Sequence, residues 1–324
     1  MRKSLVRLSA ALGLSGTLLT TGCLAEDPAD ARSQQRPAQT RPNETTTATT
    51  GTSRPSERPG KQQATPPHSK DRAAGARARQ AGADRKNSKT LLDVDYESGT
   101  LDSGIPDLTT THATAPDASA VVGPGHTGSH GVMHKVTLDD DGYVSDGAPR
   151  SESATDKVTA SRFRVGDERR YEFSVLLKDW EAYAEGDAVT GDILFQGKPA
   201  NSNPPSFYFG AKRNQIVFRS PGPDLQSTVV DDYRPYVNKW LRFRVDVRWA
   251  DDDTGSYKIS AKLPGQKDFE LKKVYEDTRT WAPKNPSDFG YVKWGLYRPD
   301  STTEKGSVKT RVAYHDDIRV STLP

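Results

Sequence analysis

Three short segments of this 324-residue chain carry polar side chains two residues apart, the spacing that puts them on one face of a β-strand. In "YVKWGLY", Tyr291, Lys293, Gly295 and Tyr297 alternate with Val292, Trp294 and Leu296. In "DILFQGK", Gln196 and Lys198 share a face, and Ile193 and Phe195 take the other. In "APRSES", Arg150 and Glu152 share a face. Arginine, glutamine, lysine and tyrosine gathered on one sheet would line a groove that holds an anion and, through a phenol, passes a proton. That chemistry requires the three segments to be strands of one sheet.

The rest of the sequence supplies sheet. "RYEFSVLLKDW" puts Tyr171, Phe173, Val175 and Leu177 on one side. "WLRFRVDVRW" lines one face with Leu241, Phe243, Val245, Val247 and Trp249 and the other with Arg242, Arg244, Asp246 and Arg248, which reads as a solvated outer face. "SYKISAKL" and "SVKTRVAYHDDIRV" repeat the period of two, and "PSFYFGAKRNQIVFRS" predicts a hairpin turning at Lys212–Asn214. Turn clusters such as "DDDTG", "SPGPD" and "PKNPSD" separate the runs. No long segment has a helical period, and "DWEAYAEGDA" is expected to give one helical turn at most. Many short strands with one core predict an all-β sandwich of the jelly-roll type over residues 91–324.

The three polar segments resemble those of the jelly-roll (concanavalin A-like) polysaccharide lyases, among them alginate lyases and the type I heparin and glucuronan lyases. That superfamily carries an Arg-x-Glu strand, a Gln-x-His strand and a strand similar to "YFKxGxY", in the order in which "RSE", "QGK" and "YVKWGLY" occur here. "NKWLRFRVDVRWADDDTGSYKI" and the closing "YHDDIRV" extend the likeness, which covers most of Leu91–Val320. The resemblance implies cleavage of a uronic-acid polysaccharide by β-elimination. It makes Tyr297 the catalytic tyrosine, acting as acid or as both acid and base. It makes Arg150 and Gln196 the groups that neutralise the uronate carboxylate, with Lys293 and Arg298 assisting.

The chain departs from the pattern at Lys198, which stands where the family has histidine. A lysine is normally charged and serves as a base only when desolvated or crowded by cations. Three alternatives follow. The base is Tyr297, or a histidine arrives from elsewhere, or the protein binds without cleaving. "GPGHTGSHGVMHKVTL" offers His126, His130 and His134, of which His134, preceding a Val/Leu alternation, is the best placed. The catalytic candidates are therefore Tyr297, His134 and Lys198. No metal ligand set is expected, because Gly and Pro argue against a helix that would align these histidines. No cofactor is expected, and the acidic turns "LDDDG" and "ADDDTG" are weak Ca²⁺ candidates at most.

The N-terminal part has a different composition. "MRKSLVRLSAALGLSGTLLTTGC" has the basic start, short apolar run and small residues of a secretory leader. "LTTGC" resembles a bacterial lipobox, which makes Cys23, the single cysteine, a lipidation site and the chain a membrane-anchored or secreted extracellular protein. Residues 24–90 form a Thr/Pro/Arg-rich linker, and from Ala25 to Thr90 there is no Val, Ile, Leu, Met, Phe, Tyr or Trp, so this stretch cannot offset chain entropy by burial. Of the 46 Lys and Arg, 16 precede Leu91, against 7 of the 43 Asp and Glu. The remainder, 30 against 36, therefore carries a charge near −6. The basic balance belongs to the spacer, and nucleic-acid binding is not expected. The expected partner is an acidic polysaccharide and the expected state a monomer. The competing reading is a non-catalytic, lectin-like protein on the same fold. A sandwich glycoside hydrolase would need two carboxylates paired on one strand, commonly as Glu-x-x-x-Glu or Glu-x-Asp-x-x-Glu, and is the third and least expected reading.

Overall fold

The computed structural model describes residues 88–184, 191–201, 204–281, 283–285, 287–299, 301 and 307–324. The expected leader, Cys23 and all but the last three residues of the expected linker lie outside them. Two antiparallel sheets pack face to face, as the alternation predicts. The first sheet contains β1 (Thr90–Val94), β2 (Ser119–Val122), β3 (Gly131–Thr137), β6 (Glu168–Lys178), β11 (Trp240–Arg248), β12 (Ser256–Lys262), β13 (Glu270–Tyr275) and β15 (Thr310–Thr322). The second contains β4 (Val144–Ser145), β5 (Ala148–Ala154), β7 (Asp192–Pro199), β8 (Phe207–Lys212), β9 (Gln215–Ser220), β10 (Leu225–Val230) and β14 (Gly290–Tyr297). Their orders are β13-β12-β11-β6-β15-β3-β2, with β1 also on β15, and β10-β9-β8-β7-β14-β5-β4. Strands distant in sequence are therefore neighbours: β14 lies between β7 and β5, so the three polar segments stand side by side. This is a jelly-roll sandwich.

The core between the sheets is strongly aromatic. Phe173 of β6 stacks on Phe195 of β7 at 4.3 Å, joining the two sheets, and Phe163 stacks on Trp249 at 3.8 Å. Each such ring removed from water is worth about 1.5–3 kcal/mol, which is what holds two twisted sheets in register. Two indole N–H groups are satisfied by tyrosines within the core: Trp294 donates to the Tyr96 hydroxyl (2.8 Å) and Trp249 to the Tyr171 hydroxyl (2.9 Å). On the outer face of the first sheet β11 and β6 are tied by pairs of opposite charge. Arg244 donates to Glu172 at 2.7 Å, and Asp246 accepts from Arg170 at 2.7 and 2.8 Å. The predicted hairpin is β8–β9, closed by the Lys212–Gln215 pair. Asp179–Ala184 is irregular rather than helical, and residues 185–190 lie outside the described set.

Two glycines fix the geometry of the polar strands. Gly197, between Gln196 and Lys198, faces inward, where a Cβ would stand 2.5 Å from the Phe207 ring. Gly295 has φ +142°, and a Cβ there would lie 2.3 Å from the Ser151 carbonyl oxygen. The pairing of β14 with β7 shifts register between Trp294 and Tyr297, while its pairing with β5 runs unbroken from Lys293 to Tyr297. Gly295 is thus demanded by the backbone of β5 at an irregularity. Gly295→Ala is expected to lower stability in urea denaturation by about 1–3 kcal/mol, whereas the same substitution at Gly222, whose Cβ would meet nothing, should be close to neutral.

Candidate active site

The registers Lys293↔Gln196, Gly295↔Glu152 and Tyr297↔Arg150 place the predicted groups on the outer face of the second sheet, because directly opposed residues share a face. At the centre is Glu152, a carboxylate with 3 % side-chain exposure. One oxygen accepts from the Gln196 amide at 2.6 Å, and the other accepts from the Lys293 ammonium at 2.6 Å. Arg150 comes within 4.0 Å of the same carboxylate, and its guanidinium lies over the Tyr297 ring at 4.1 Å from the centroid. The Arg150 Nε is buried with no hydrogen-bond partner among the described residues. Arg150 is also near Asp146, at 3.6 Å. Gln196 and Lys293 are thus oriented by Glu152, and Arg150 by both Glu152 and the Tyr297 ring.

Lys198 follows Gln196 on the same face and pairs in register with Tyr291. Burial first, and then the positive charges of Lys293 and Arg150, push the Lys198 ammonium below the ordinary lysine range. Burial pushes the Tyr291 phenol up to about 12. Tyr291, Lys293, Arg150 and Glu152 line an open depression together with His112, Asp146 and Asp156. Sequence reasoning passed over His112. It lies in a segment without periodicity, so no strand alternation points to it, and only the folded sheet brings it to the Arg150–Lys293 face.

Two expected site residues are not on this face. His134 on β3 is fully buried between the sheets and contacts Ser151 Oγ (3.0 Å) and Ser153 Oγ (3.3 Å), the inward residues of β5. It therefore meets the opposite side of β5 from Arg150 and Glu152. Burial, followed by the neighbouring His315, holds it well below the usual histidine range. Arg298 follows the end of β14 and turns inward. It is 1 % exposed, donates to Asp192 (3.3 Å), and satisfies the carbonyls of Val308 (2.6 Å) and Lys309 (3.0 Å). These are structural ties: Arg298 has the parity of Val292, Trp294 and Leu296, so the alternation of β14 carries it to the inner side, opposite to Tyr297. His126 and His130 stand apart, on Asp317 (2.5 Å) and Glu97 (3.9 Å) respectively. Among the described residues no group of three or more His, Cys, Asp or Glu is arranged to hold a metal. In the two acidic turns, Asp140 accepts from the Gly142 N–H and Asp252 from the Thr254 N–H.

A family model described as polysaccharide lyase matches residues 96–319. This chain belongs to that family. The polysaccharide lyase shares its fold with an endo-β-1,4-glucuronan lyase from the fungus Trichoderma reesei, at 18% identity and a TM-score of 0.50 over 72% of this chain and 96% of that one. A family 7 alginate lyase matches at 15% identity, TM-score 0.45, over 73% and 95% of the two chains. A PL-14 alginate lyase from Aplysia kurodai matches at 12% identity, TM-score 0.44, over 73% and 100%. Among curated proteins none matches the sequence.

The buried Glu152–Lys293 pair gives a direct test of the site's construction. Lys293→Met leaves a buried carboxylate without its cation and is expected to cost about 3–5 kcal/mol in urea denaturation. Combined with Glu152→Gln, which removes that charge, the loss should be smaller than the sum of the single losses. Strict additivity would show that the two side chains do not depend on each other.

Proposed function

We propose that this polysaccharide lyase cleaves a uronic-acid polymer by β-elimination on the outer face of β5, β7 and β14. The observation that carries the reading is the cluster of Arg150, Gln196 and Lys293 around Glu152 beside Tyr297. β-Elimination removes the weakly acidic proton at C5 of a uronate. The adjacent carboxylate must be neutralised, so that charge developing on it in the transition state is stabilised. Gln196 Nε2 spends one N–H on Glu152 and has a second for the substrate. The Arg150 guanidinium, held over the Tyr297 ring, supplies the charge-assisted bonds. Lys293 lies on Glu152, and its part is to hold that carboxylate neutralised, so that Glu152 orients Gln196 without repelling the substrate.

A base then takes the C5 proton, and an acid gives one to the leaving glycosidic oxygen. Tyr297 is the acid in this reading. Lys198 is the base, occupying the family's histidine position in the surroundings that let a lysine act so: partial burial and two cationic neighbours. His112, lining the same depression, is the alternative base. His134 takes no part, because β5 stands between it and the substrate face. The substrate class is an acidic polysaccharide, a reading to which the alginate and glucuronan lyases of like fold lend support. The basic leader and "LTTGC" support export, with Cys23 as a lipid anchor and the Thr/Pro/Arg-rich segment as a spacer holding the lyase domain away from the membrane.

The test is ultraviolet absorbance from the unsaturated product with glucuronan, alginate, heparin and hyaluronan. Cleavage of at least one is expected, with Tyr297→Phe slower by about 10²–10⁴-fold. Lys198→Met should abolish the alkaline-rising limb of kcat/KM that His112→Ala retains, and the reverse result would move the base to His112. Removing the Lys293 charge relieves repulsion on Lys198 and should shift that limb to higher pH. Binding of a polymer without cleavage of any would favour the lectin-like reading.

A further inference from the structure

The face that carries the cluster does not end at β7. Register pairs carry one line of outward residues on across the sheet, from Lys293 through Gln196 to Tyr208 of β8, Arg219 of β9 and Gln226 of β10. Directly opposed residues of antiparallel strands lie on the same face. The flanking Phe207, Phe209 and Phe218 are fully buried in the core, so Tyr208 and Arg219 must point outward with Gln196. Tyr208 is half-buried, the Arg219 side chain is 27% exposed and Gln226 is exposed. No step of the proposed elimination uses them.

We propose that Tyr208, Arg219 and Gln226 form an outlying subsite that binds sugar units of the same acidic polymer away from the point of cleavage. The proposal rests on the lyase reading, from which it takes the occupant. Strands lie about 4.8 Å apart, and a ring of an extended 1,4-linked polysaccharide advances by a similar length. A polymer crossing the strands therefore lays about one ring per strand. Arg219, two strands from Gln196, would then meet the unit two places from the one held at Gln196. In an extended chain with alternating ring orientation, the carboxylates of those two units fall on the same side. Tyr208, between them, offers a flat apolar surface to a sugar ring and a hydroxyl to its rim. Burial pushes its phenol above the ordinary range, so it remains a donor at working pH. Arg219 is paired with Asp224 at 2.6 Å, but Asp224 is 82% exposed. A pair so exposed contributes little, and a substrate carboxylate can take its place.

The experiment is steady-state kinetics of the full chain on a long cleaved polymer and on the shortest oligosaccharide that is cleaved. The variants are Tyr208→Ala, Arg219→Gln and Asp224→Asn. Loss of the ring surface and hydroxyl in Tyr208→Ala, and of the charge-assisted bond in Arg219→Gln, should each raise KM for the long polymer about tenfold, with kcat unchanged. The shortest substrate, which does not extend over β8 and β9, should show no change. Asp224→Asn should lower KM for the polymer by releasing Arg219. Unchanged KM in both Tyr208→Ala and Arg219→Gln, or equal losses on long and short substrates, would overturn the subsite while leaving the lyase reading intact. If the wild-type protein cleaves nothing, the lyase reading fails. The subsite is then read from retardation of each variant in gels containing the polymer: weaker retardation of Tyr208→Ala and Arg219→Gln supports it, and equal retardation overturns it.

Discussion

A buried carboxylate organises this molecule's outer face. Glu152 on β5 accepts the Lys293 ammonium of the adjacent β14 on one oxygen and, reaching past β14, the Gln196 amide of β7 on the other. A charge so enclosed is costly unless paired and hydrogen-bonded. The arrangement is therefore tightly coupled: displace one strand and the carboxylate loses a partner. The same bonds fix Gln196 and Arg150 beforehand, where reorganisation at the moment of reaction would otherwise cost rate.

The inner side of the same strands explains how that precision is maintained. Ser151 and Ser153, alternating with Arg150 and Glu152, meet His134 from the opposite sheet, while Trp294 and Phe195 anchor the backs of β14 and β7 in the aromatic core. Gly197 and Gly295 are required by the Phe207 ring and by the β5 backbone. Gly295 answers the close approach of the β5 backbone and of the His134 ring. The chemistry on one face and the packing on the other are thus two readings of one period-two pattern.

That pattern is why so much was legible from the chain alone. Alternation identified the strands and the face of each polar side chain, and the three segments did meet on one face. What it left open was register and strand ends. Arg298 was expected near the substrate, yet it shares the parity of Trp294 and Leu296, and its side chain turns inward to Asp192. His134 lies on the inner side of β3, a placement its alternation with the fully buried Val132 and Val136 already signalled. His112 had no such signal, since it reaches the site from a segment with no regular period. The depressed lysine at position 198 was open only as a condition, because the cations that crowd it come from other strands.

The most direct test of the account is the structure of the Tyr297→Phe variant with an oligosaccharide of whichever uronate polymer the wild type cleaves. The account predicts a uronate carboxylate within hydrogen-bond distance of Gln196 Nε2 and the Arg150 guanidinium, with the Glu152–Lys293 contact intact. A sugar bound elsewhere, for instance on the arginine-lined outer face of the first sheet, or a carboxylate that displaces Glu152 from Lys293, would contradict it.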